Sequence, residues 1–456
     1  MLSVLRNRTY RHLFTAQVVA LAGTGLATVA LALLAYDLAG ADAGAVLGTA
    51  LAIKMVAYVA IAPLAGALAG RVPRRALMAA MDLTRAGTAL ALPFVDRVWQ
   101  IYLTVFLLQA ASAVFTPTFQ ATIPQVLPAE RDYTGALSMS RLAYDLESLF
   151  SPALAAVLLT AVSYDWLFAG TAVGFLASAA LVVSAVLPKA PPVERAGGVR
   201  ARAVFGSRLF LATPRLRALL ALDLAVAAAG AIVFVDSVVV VREHFHRPAA
   251  DLSLALGAYG AGSMTAALLL PRALARVGDR TVMLPAALAL PAALAAVAAV
   301  TAAPPGGWSW SALLAAWALL AAAGSAVLTP GGRVIRRSAA EADLPAAFAA
   351  QFSLSHSCWL LTYPLAGWLA AAAGLPATAL TLGVLALAAT AAAAVLWPRR
   401  DPDALRHEHT DLPAGHPHLT GAHPSRAGAW SHGHHYVIDE HHRSWPRAGR
   451  AGAAAR

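Results

Sequence analysis

The sequence predicts an all-α membrane protein with twelve transmembrane helices in two pseudo-symmetric six-helix bundles. Three observations lead there. Apolar runs near 20 residues recur along the chain, charged residues make up only 12% of it, and short motifs of the first half return in the second. A soluble domain carries about 25% charged residues, whereas 59% of these 456 residues are hydrophobic and the mean hydropathy is +0.66. The net charge of +11 is no nucleic-acid signal, because the arginines sit in short turns between apolar runs. Lysine occurs only at Lys54 and Lys189, and alanine is abundant, as codon economy in a GC-rich bacterial genome would give. The lone Cys358 excludes an intrachain disulfide.

The first bundle spans 1–187. Arg6, Arg8 and Arg11 lead into an apolar run too long for a signal sequence, so it reads as a retained span. Spans are expected near 13–36, 44–69, 76–95, 99–122, 134–160 and 166–187. A linker at 188–215, rich in Pro, Gly and Arg, separates them from the second bundle at 216–397. Its spans are expected near 216–241, 251–274, 281–303, 308–329, 346–371 and 375–397. The turns at 71–75, 124–133, 272–280 and 333–343 are charged, and the alternate turns are nearly free of arginine, 242–249 excepted. The positive-inside rule then makes both termini and the linker cytoplasmic.

The halves repeat in parallel. Arg71-Val72-Pro73-Arg74-Arg75 matches Arg276-Val277-Gly278-Asp279-Arg280, and Phe115-Thr116-Pro117 matches Leu328-Thr329-Pro330. Glu130-Arg131-Asp132 matches Glu341-Ala342-Asp343, and Ser151-Pro152 matches Tyr363-Pro364. The offset drifts only from 205 to about 213 residues across these four. A parallel six-plus-six repeat is a two-bundle transporter plan, with the substrate site between the bundles at mid-membrane.

Residues 1–397 resemble the major facilitator superfamily. Gly66-Ala67-Leu68-Ala69-Gly70-Arg71-Val72-Pro73-Arg74-Arg75 resembles its loop signature between spans two and three, and Ser151-Pro152-Ala153-Leu154-Ala155-Ala156 resembles the span-five signature of exporters. The pattern is similar to the enterobactin-exporter and macrolide-efflux branch. In the family an acid stands at the position of Gly70 and locks onto a helix N-terminus and nearby arginines; this chain lacks it there. All three glycines of the span-five signature are replaced, by Ser151, Ala155 and Ala156. The resemblance implies a secondary active transporter working by alternating access, with Gly66, Arg71, Arg74, Arg75, Asp82 and Arg85 at the cytoplasmic gate.

Ionisable groups inside a membrane helix cost about 2.5 kcal/mol or more each unless they face a bundle interior or water. Span five nevertheless carries Arg141, Asp145 and Glu147 on one polar arc. Arg141 and Asp145 can pair at i, i+4, which leaves Glu147 for Lys54, roughly 15 Å deep in span two. These residues, with Gln109 and with His356 at the repeat position of Asp145, are the expected substrate and proton pathway; structural ion pairing is the competing reading. Asp223 and Asp236, near the two ends of span seven, read as rim charges.

The segment 398–456 holds ten of the fourteen histidines: His407, His409, His416, His418, His423, His432, His434, His435, His441 and His442, with Asp401, Asp403 and Asp411 nearby. Imidazole suits nickel, copper, zinc and cobalt. The segment is expected to be flexible, because a short, Pro-broken stretch cannot build a core. It resembles the histidine-rich C-terminus of nickel-resistance exporters.

The expectation is therefore a proton-coupled efflux antiporter of the bacterial inner membrane, acting as a monomer on a divalent metal such as nickel or cobalt. Export of a drug, macrolide or siderophore, with the tail as metal sensor or buffer, is the rival reading. A non-transporting sensor is the third. No phosphate-binding Gly-Lys loop and no nucleophile with a base are present, so neither an enzyme nor a cofactor is expected.

Overall fold

A computed structural model describes residues 2–40, 43–68, 71–188, 199–410, 412–413, 415–425, 429–439, 441–442 and 444–446. Gly70, Lys189, Asp411 and residues 189–198 and 447–456 lie outside the described residues.

The first half comprises α1 (Arg8–Ala39), α2 (Ala43–Leu68), α3 (Arg74–Ala91), α4 (Val98–Val126), α5 (Glu130–Leu159) and α6 (Tyr164–Ser184). The second comprises α8 (Pro214–Val239), α9 (Ala249–Leu274), α10 (Asp279–Ala302), α11 (Gly307–Leu328), the short α12 (Gly331–Arg336) and α13 (Leu344–Leu396), with α7 (Val199–Ala212) between the halves. Among the described residues nine helices are long and apolar enough to cross a membrane. Three features bring these to the twelve spans expected. The first is α3, with Arg74, Arg75, Asp82 and Arg85 in 18 residues. The second is α5, which bends by 41° between Glu130–Ser148 and Ala153–Leu159. The third is α13, which is two spans joined at Gly374; its φ of 81° is open only to a residue without a Cβ at low cost. Beyond Gly374 the chain returns alongside α10, where Arg280 donates to Ala394 O at 3.4 Å.

The two bundles meet along two seams. At one, α5 packs on α9; at the other, α2 packs on α13. A Cβ on Gly66 would lie 2.8 Å from Ala346 Cα, so a glycine there lets the backbones of α2 and α13 approach closely. The linker is not wholly irregular. Its residues Phe205, Leu209 and Phe210, at helical spacing, are buried in the core of the second half, and α7 also packs against α2.

The expectation of a flexible histidine-rich tail is corrected over the described residues. β1 (Ala404–His409), β2 (His423–Pro424) and β3 (Trp430–His435) form an antiparallel sheet in the order β1-β3-β2, with His407 opposite His432. The segment gains a core by borrowing one. Tyr436 and Ile438 are buried in the hydrophobic cluster of the second bundle, with Leu405 and Trp445 packed against it. Apolar burial at about 25 cal/mol per Å² orders a chain whose own composition could not.

Candidate transport path and histidine centre

Along the first seam, Arg141 and Asp145 pair at 3.2 Å, but the pair is not closed on itself. Ser263, fully buried on α9, receives a hydrogen bond from Arg141 Nε at 2.9 Å and donates to Asp145 Oδ2 at 2.7 Å. One hydroxyl thus completes both charged groups across the bundle interface. Arg141 and Asp145 also act electrostatically on Tyr259 of α9.

Along the second seam, Tyr58 of α2 donates to Gln109 Oε1 of α4 at 2.8 Å. The rings of Phe352 and His356, from α13, lie 4.8 and 4.7 Å from the Tyr58 ring. His356 Nδ1 is 2.6 Å from Phe352 O, so that nitrogen carries the proton and Nε2 is the free acceptor. Ser353 donates to Val59 O at 2.7 Å, again joining the bundles. Lys54 lies 5.7 Å from the centre of the Tyr58 ring and is in electrostatic contact with Glu147 and His356. Glu147 is held against α1, where a Cβ on Gly25 would lie 2.9 Å from its Oε1 and would run into Ser151 Oγ. The repeat relates the seams: Asp145 meets Ser263 at one, and His356 meets Tyr58 at the other, 205 residues before Ser263.

At the end of the bundles where α5 and α10 begin, the halves are joined by ion pairs. Arg333 of α12 donates to Asp279 at 2.7 Å, to Glu130 at 2.5 Å and to Thr134 Oγ1 at 2.5 Å. Arg336 donates to Pro128 O at 2.6 Å and stacks on Tyr133. Arg74 donates to Gln125 at 2.5 Å and is in electrostatic contact with Glu341 of the second half. Arg71 and Arg75 are exposed, and Arg75 Nη1 is 3.4 Å from Val183 O. Asp82 and Arg85 lie inside the first bundle. Asp82 is paired with Arg85 and accepts from Ser178 at 2.7 Å, while Arg85 lies between the Phe115 and Phe175 rings and reaches Tyr58 and Tyr144 electrostatically.

Sequence reasoning missed Arg333 and Asp279. The signal was in the repeat: Asp279 stands where Arg74 stands in the first half. It opens α10, is 2% exposed, and holds Arg333 and Arg337 at 2.7 and 3.4 Å. An acid at a helix N-terminus flanked by arginines is the arrangement that the first repeat lacks at Gly70.

Asp223 and Asp236 are not rim charges; each is 2% exposed within α8. Gln351 Nε2 donates to Asp223 Oδ2 at 2.8 Å, leaving Asp223 Oδ1 and Gln351 Oε1 buried without partners among the described residues. Higher in the second bundle, Phe234, Tyr259, Trp359 and Tyr363 form an aromatic wall with ring centres 5.1–5.9 Å apart.

In the tail, six of the ten histidines converge. Alternation along β1 and β3 places His407, His409, His432 and His434 on one face of the sheet, and His418 and His442 cover them. His407 Nε2 lies 3.0 Å from His409 Nε2, 3.1 Å from His432 Nε2 and 2.9 Å from His442 Nε2, and His418 Nε2 is 3.2 Å from His442 Nε2. Two overlapping four-histidine sets can hold a metal ion: His407, His418, His434 and His442, or His407, His409, His418 and His432. The other faces of three rings are committed. His407 Nδ1 faces Leu405 O at 3.1 Å, His434 Nδ1 faces His435 O at 2.7 Å, and His442 Nδ1 faces Asp439 Oδ1 at 2.9 Å. Carbonyls and carboxylates accept only, so each Nδ1 bears the proton and each Nε2 presents a lone pair. Burial and the neighbouring imidazoles push His407 down to about 3 and His418 to about 4, which keeps both neutral. The Asp439 carboxylate accepts from the His441 and His442 amides at 2.8 and 2.7 Å as well as from the His442 ring. The His407 and His442 lone pairs, 2.9 Å apart, repel one another unless a cation lies between them. His416 and His441 meet edge to face beside this centre, while His423 and His435 lie on the exposed surface of the sheet.

The sequence profile of the Major Facilitator Superfamily matches residues 13–240 and 224–437. An uncharacterised MFS-type transporter of Bacillus subtilis (strain 168), YfiS, is 27% identical over 124 residues, a stretch that spans 27% of this chain and 30% of that protein. The fold is similar to that of the human organic anion transporter MFSD10 (TM-score 0.70, 15% identity, 85% of this chain and 99% of that one). It is similar also to a bacterial homologue of the iron transporter ferroportin in its outward-facing state (TM-score 0.69, 14% identity, 85% and 98%). The E. coli fucose:proton symporter follows (TM-score 0.64, 14% identity, 85% and 98%).

Proposed function

The chain belongs to the major facilitator superfamily, and from that premise we propose that it is a proton-coupled exporter of the bacterial inner membrane whose cargo is a borderline divalent cation such as nickel or cobalt. It is a multi-pass membrane transporter rather than an enzyme. The observation that carries the metal reading is the convergence of five imidazoles at 2.9–3.2 Å with His434 beside them, the Nδ1 atoms of His407, His434 and His442 being turned to protein acceptors. Metal–nitrogen bonds of about 2.0–2.1 Å put neighbouring ligands roughly 2.9 Å apart at right angles and roughly 3.4 Å apart in a tetrahedron. The closest separations fall between these two values, and an all-imidazole donor set suits a borderline divalent ion.

In this reading both termini are cytoplasmic, consistent with the arginine-rich turns at their end. The tail collects the ion there. Asp145 and Glu147 exchange protons at the seams: protonating Asp145 weakens its hold on Arg141 and Ser263, and so loosens the α5–α9 seam. Lys54 offers Glu147 a counter-charge when no cation is present.

A second reading has its own observation. The aromatic wall of Phe234, Tyr259, Trp359 and Tyr363 beside Arg141 and Asp145 suits a flat organic molecule, with the tail serving as a metal sensor. Proteoliposomes with an imposed pH gradient separate the two. Gradient-driven nickel or cobalt movement supports metal export. Movement of an aromatic dye with neither metal transported overturns it in favour of the organic substrate.

A further inference from the structure

The histidine centre is connected to the gate through a short series of ion pairs. Asp401 and Asp403 immediately precede β1, and Tyr436 N, just after β3, donates to Asp403 O at 3.0 Å. Trp397 Nε1 donates to Asp401 at 3.1 Å. The two aspartates face Arg215 and Arg337: Arg215 Nη1 lies 3.4 and 3.5 Å from Asp401 and Asp403, and Arg337 Nη2 lies 2.9 Å from Asp403. Arg215 Nη2 also donates to Arg337 O at 2.5 Å, which fixes the end of α12. From Arg337 the path continues to Asp279 at 3.4 Å, to Arg333 at 2.7 Å, and across the bundle interface to Glu130 at 2.5 Å. The segment that joins the bundles is therefore clamped from outside by the segment that carries the metal ligands.

We propose that the histidine centre is a regulatory metal site: an imidazole-bound divalent cation fixes the sheet, seats Asp401 and Asp403 on Arg215 and Arg337, and thereby holds closed the gate where α5 and α10 begin. This rests on reading the tail as a metal site, and adds that its ion controls the gate, whatever the transported cargo. The Nε2 atoms of His407 in β1 and of His442 face one another at 2.9 Å, lone pair to lone pair. A cation between them ties β1 to β3, His418 and His442 at once. Because only three residues separate Asp403 from His407, ordering β1 orders the clamp. The coupling uses no contact between the ion and the transport path.

Hydrogen exchange on the full-length protein in nanodiscs, with and without nickel chloride, tests this. The gate peptides are those covering 128–134 and 331–337, and nickel affinity is measured by calorimetry in parallel. At a hundred times its dissociation constant, nickel is expected to slow exchange in both gate peptides by up to roughly a hundredfold. The double variant Asp401→Asn with Asp403→Asn keeps all six ligands, so it should bind nickel normally and protect β1 and β3, yet leave the gate peptides unprotected. Arg337→Lys, which loses the two-pronged contact but keeps the charge, should weaken gate protection without altering nickel affinity. Nickel binding with no change at the gate of the native protein overturns the regulatory role and leaves the metal reading intact. Full gate protection in the double variant overturns it as well. Absence of nickel or cobalt binding overturns the metal reading itself, and the gate control with it.

Discussion

His407 and His442 bring their Nε2 atoms to 2.9 Å of one another while each directs its Nδ1 at a protein acceptor, Leu405 O in one ring and Asp439 in the other. The rings cannot hydrogen-bond to each other in that state. Replacing both with alanine should lower nickel affinity by at least a hundredfold. Asp439→Asn, which touches no ion but orients His442, should lower it by about 10–100-fold. Calorimetric titration of the full chain reads both.

The acid response of the metal-free module follows from His407 at about 3 and His418 at about 4, both below the ordinary imidazole value because of burial and neighbouring rings. The unfolded segment binds more protons than the folded one between those values and about 6.5, so stability rises with pH across that interval. The contribution is present above about pH 6.5 and is lost as pH falls toward 3–4. Protection of β1 and β3 amides should fade over that window while the helical bundles keep theirs.

Ser263 satisfies Arg141 and Asp145 from the opposite bundle. Ser263→Ala leaves the buried Asp145 and the partly buried Arg141 each one bond short, at a cost of about 1–3 kcal/mol. It should disfavour the conformation with the α5–α9 seam closed. Asp145→Asn should spare folding and abolish coupling to a pH gradient in proteoliposomes; full coupled flux would return Asp145 to a structural role.

Arg333 serves Asp279, Glu130 and Thr134 together. Arg333→Gln should open this end, raising labelling of a cysteine placed at Leu137, which lies against Gly332 of α12, and should cost about 1–3 kcal/mol, because buried Asp279 loses one of its two arginines and keeps Arg337. Glu130→Gln should cost less than 1 kcal/mol, since that carboxylate is largely exposed.

Asp223 and Gln351 share one hydrogen bond and leave two bare oxygens. Asn at position 223 can donate to Gln351 Oε1 and fill both vacancies. Asp223→Asn should therefore match or exceed the native melting temperature, while Asp223→Leu, which strands the Gln351 amide, should fall below it. If Asp223→Asn also flattens the pH dependence of transport, Asp223 is a proton-carrying group.

The helices were legible because a bilayer demands about 20 apolar residues per span, and that demand is written in composition. The repeat was legible because turns tolerate few sequences. What escaped notice had weaker or misread periodicity. Every face of α8 is apolar, so nothing in its sequence says that Asp223 and Asp236 point inward. In α7 the helical spacing of Phe205 and Leu209 lay beneath a Gly- and Arg-rich composition. The tail's His-Glu-His and His-Gly-His runs are alternating patterns, the signature of strands, but counting histidines hides their order. Its core could not be foreseen from the segment alone, because half of that core belongs to the bundle.

At Gly374 the chain turns from the eleventh span to the twelfth within a single residue. That corner has no loop to grip. A protease finds no extended strand to cleave there, and an antibody or a phage finds no projecting epitope. An affinity tag inserted at this corner would have to break a helix to be displayed. Topology mapping from the far side is better aimed at the turn of residues 245–248, where the backbone leaves its helix before Ala249 begins the next.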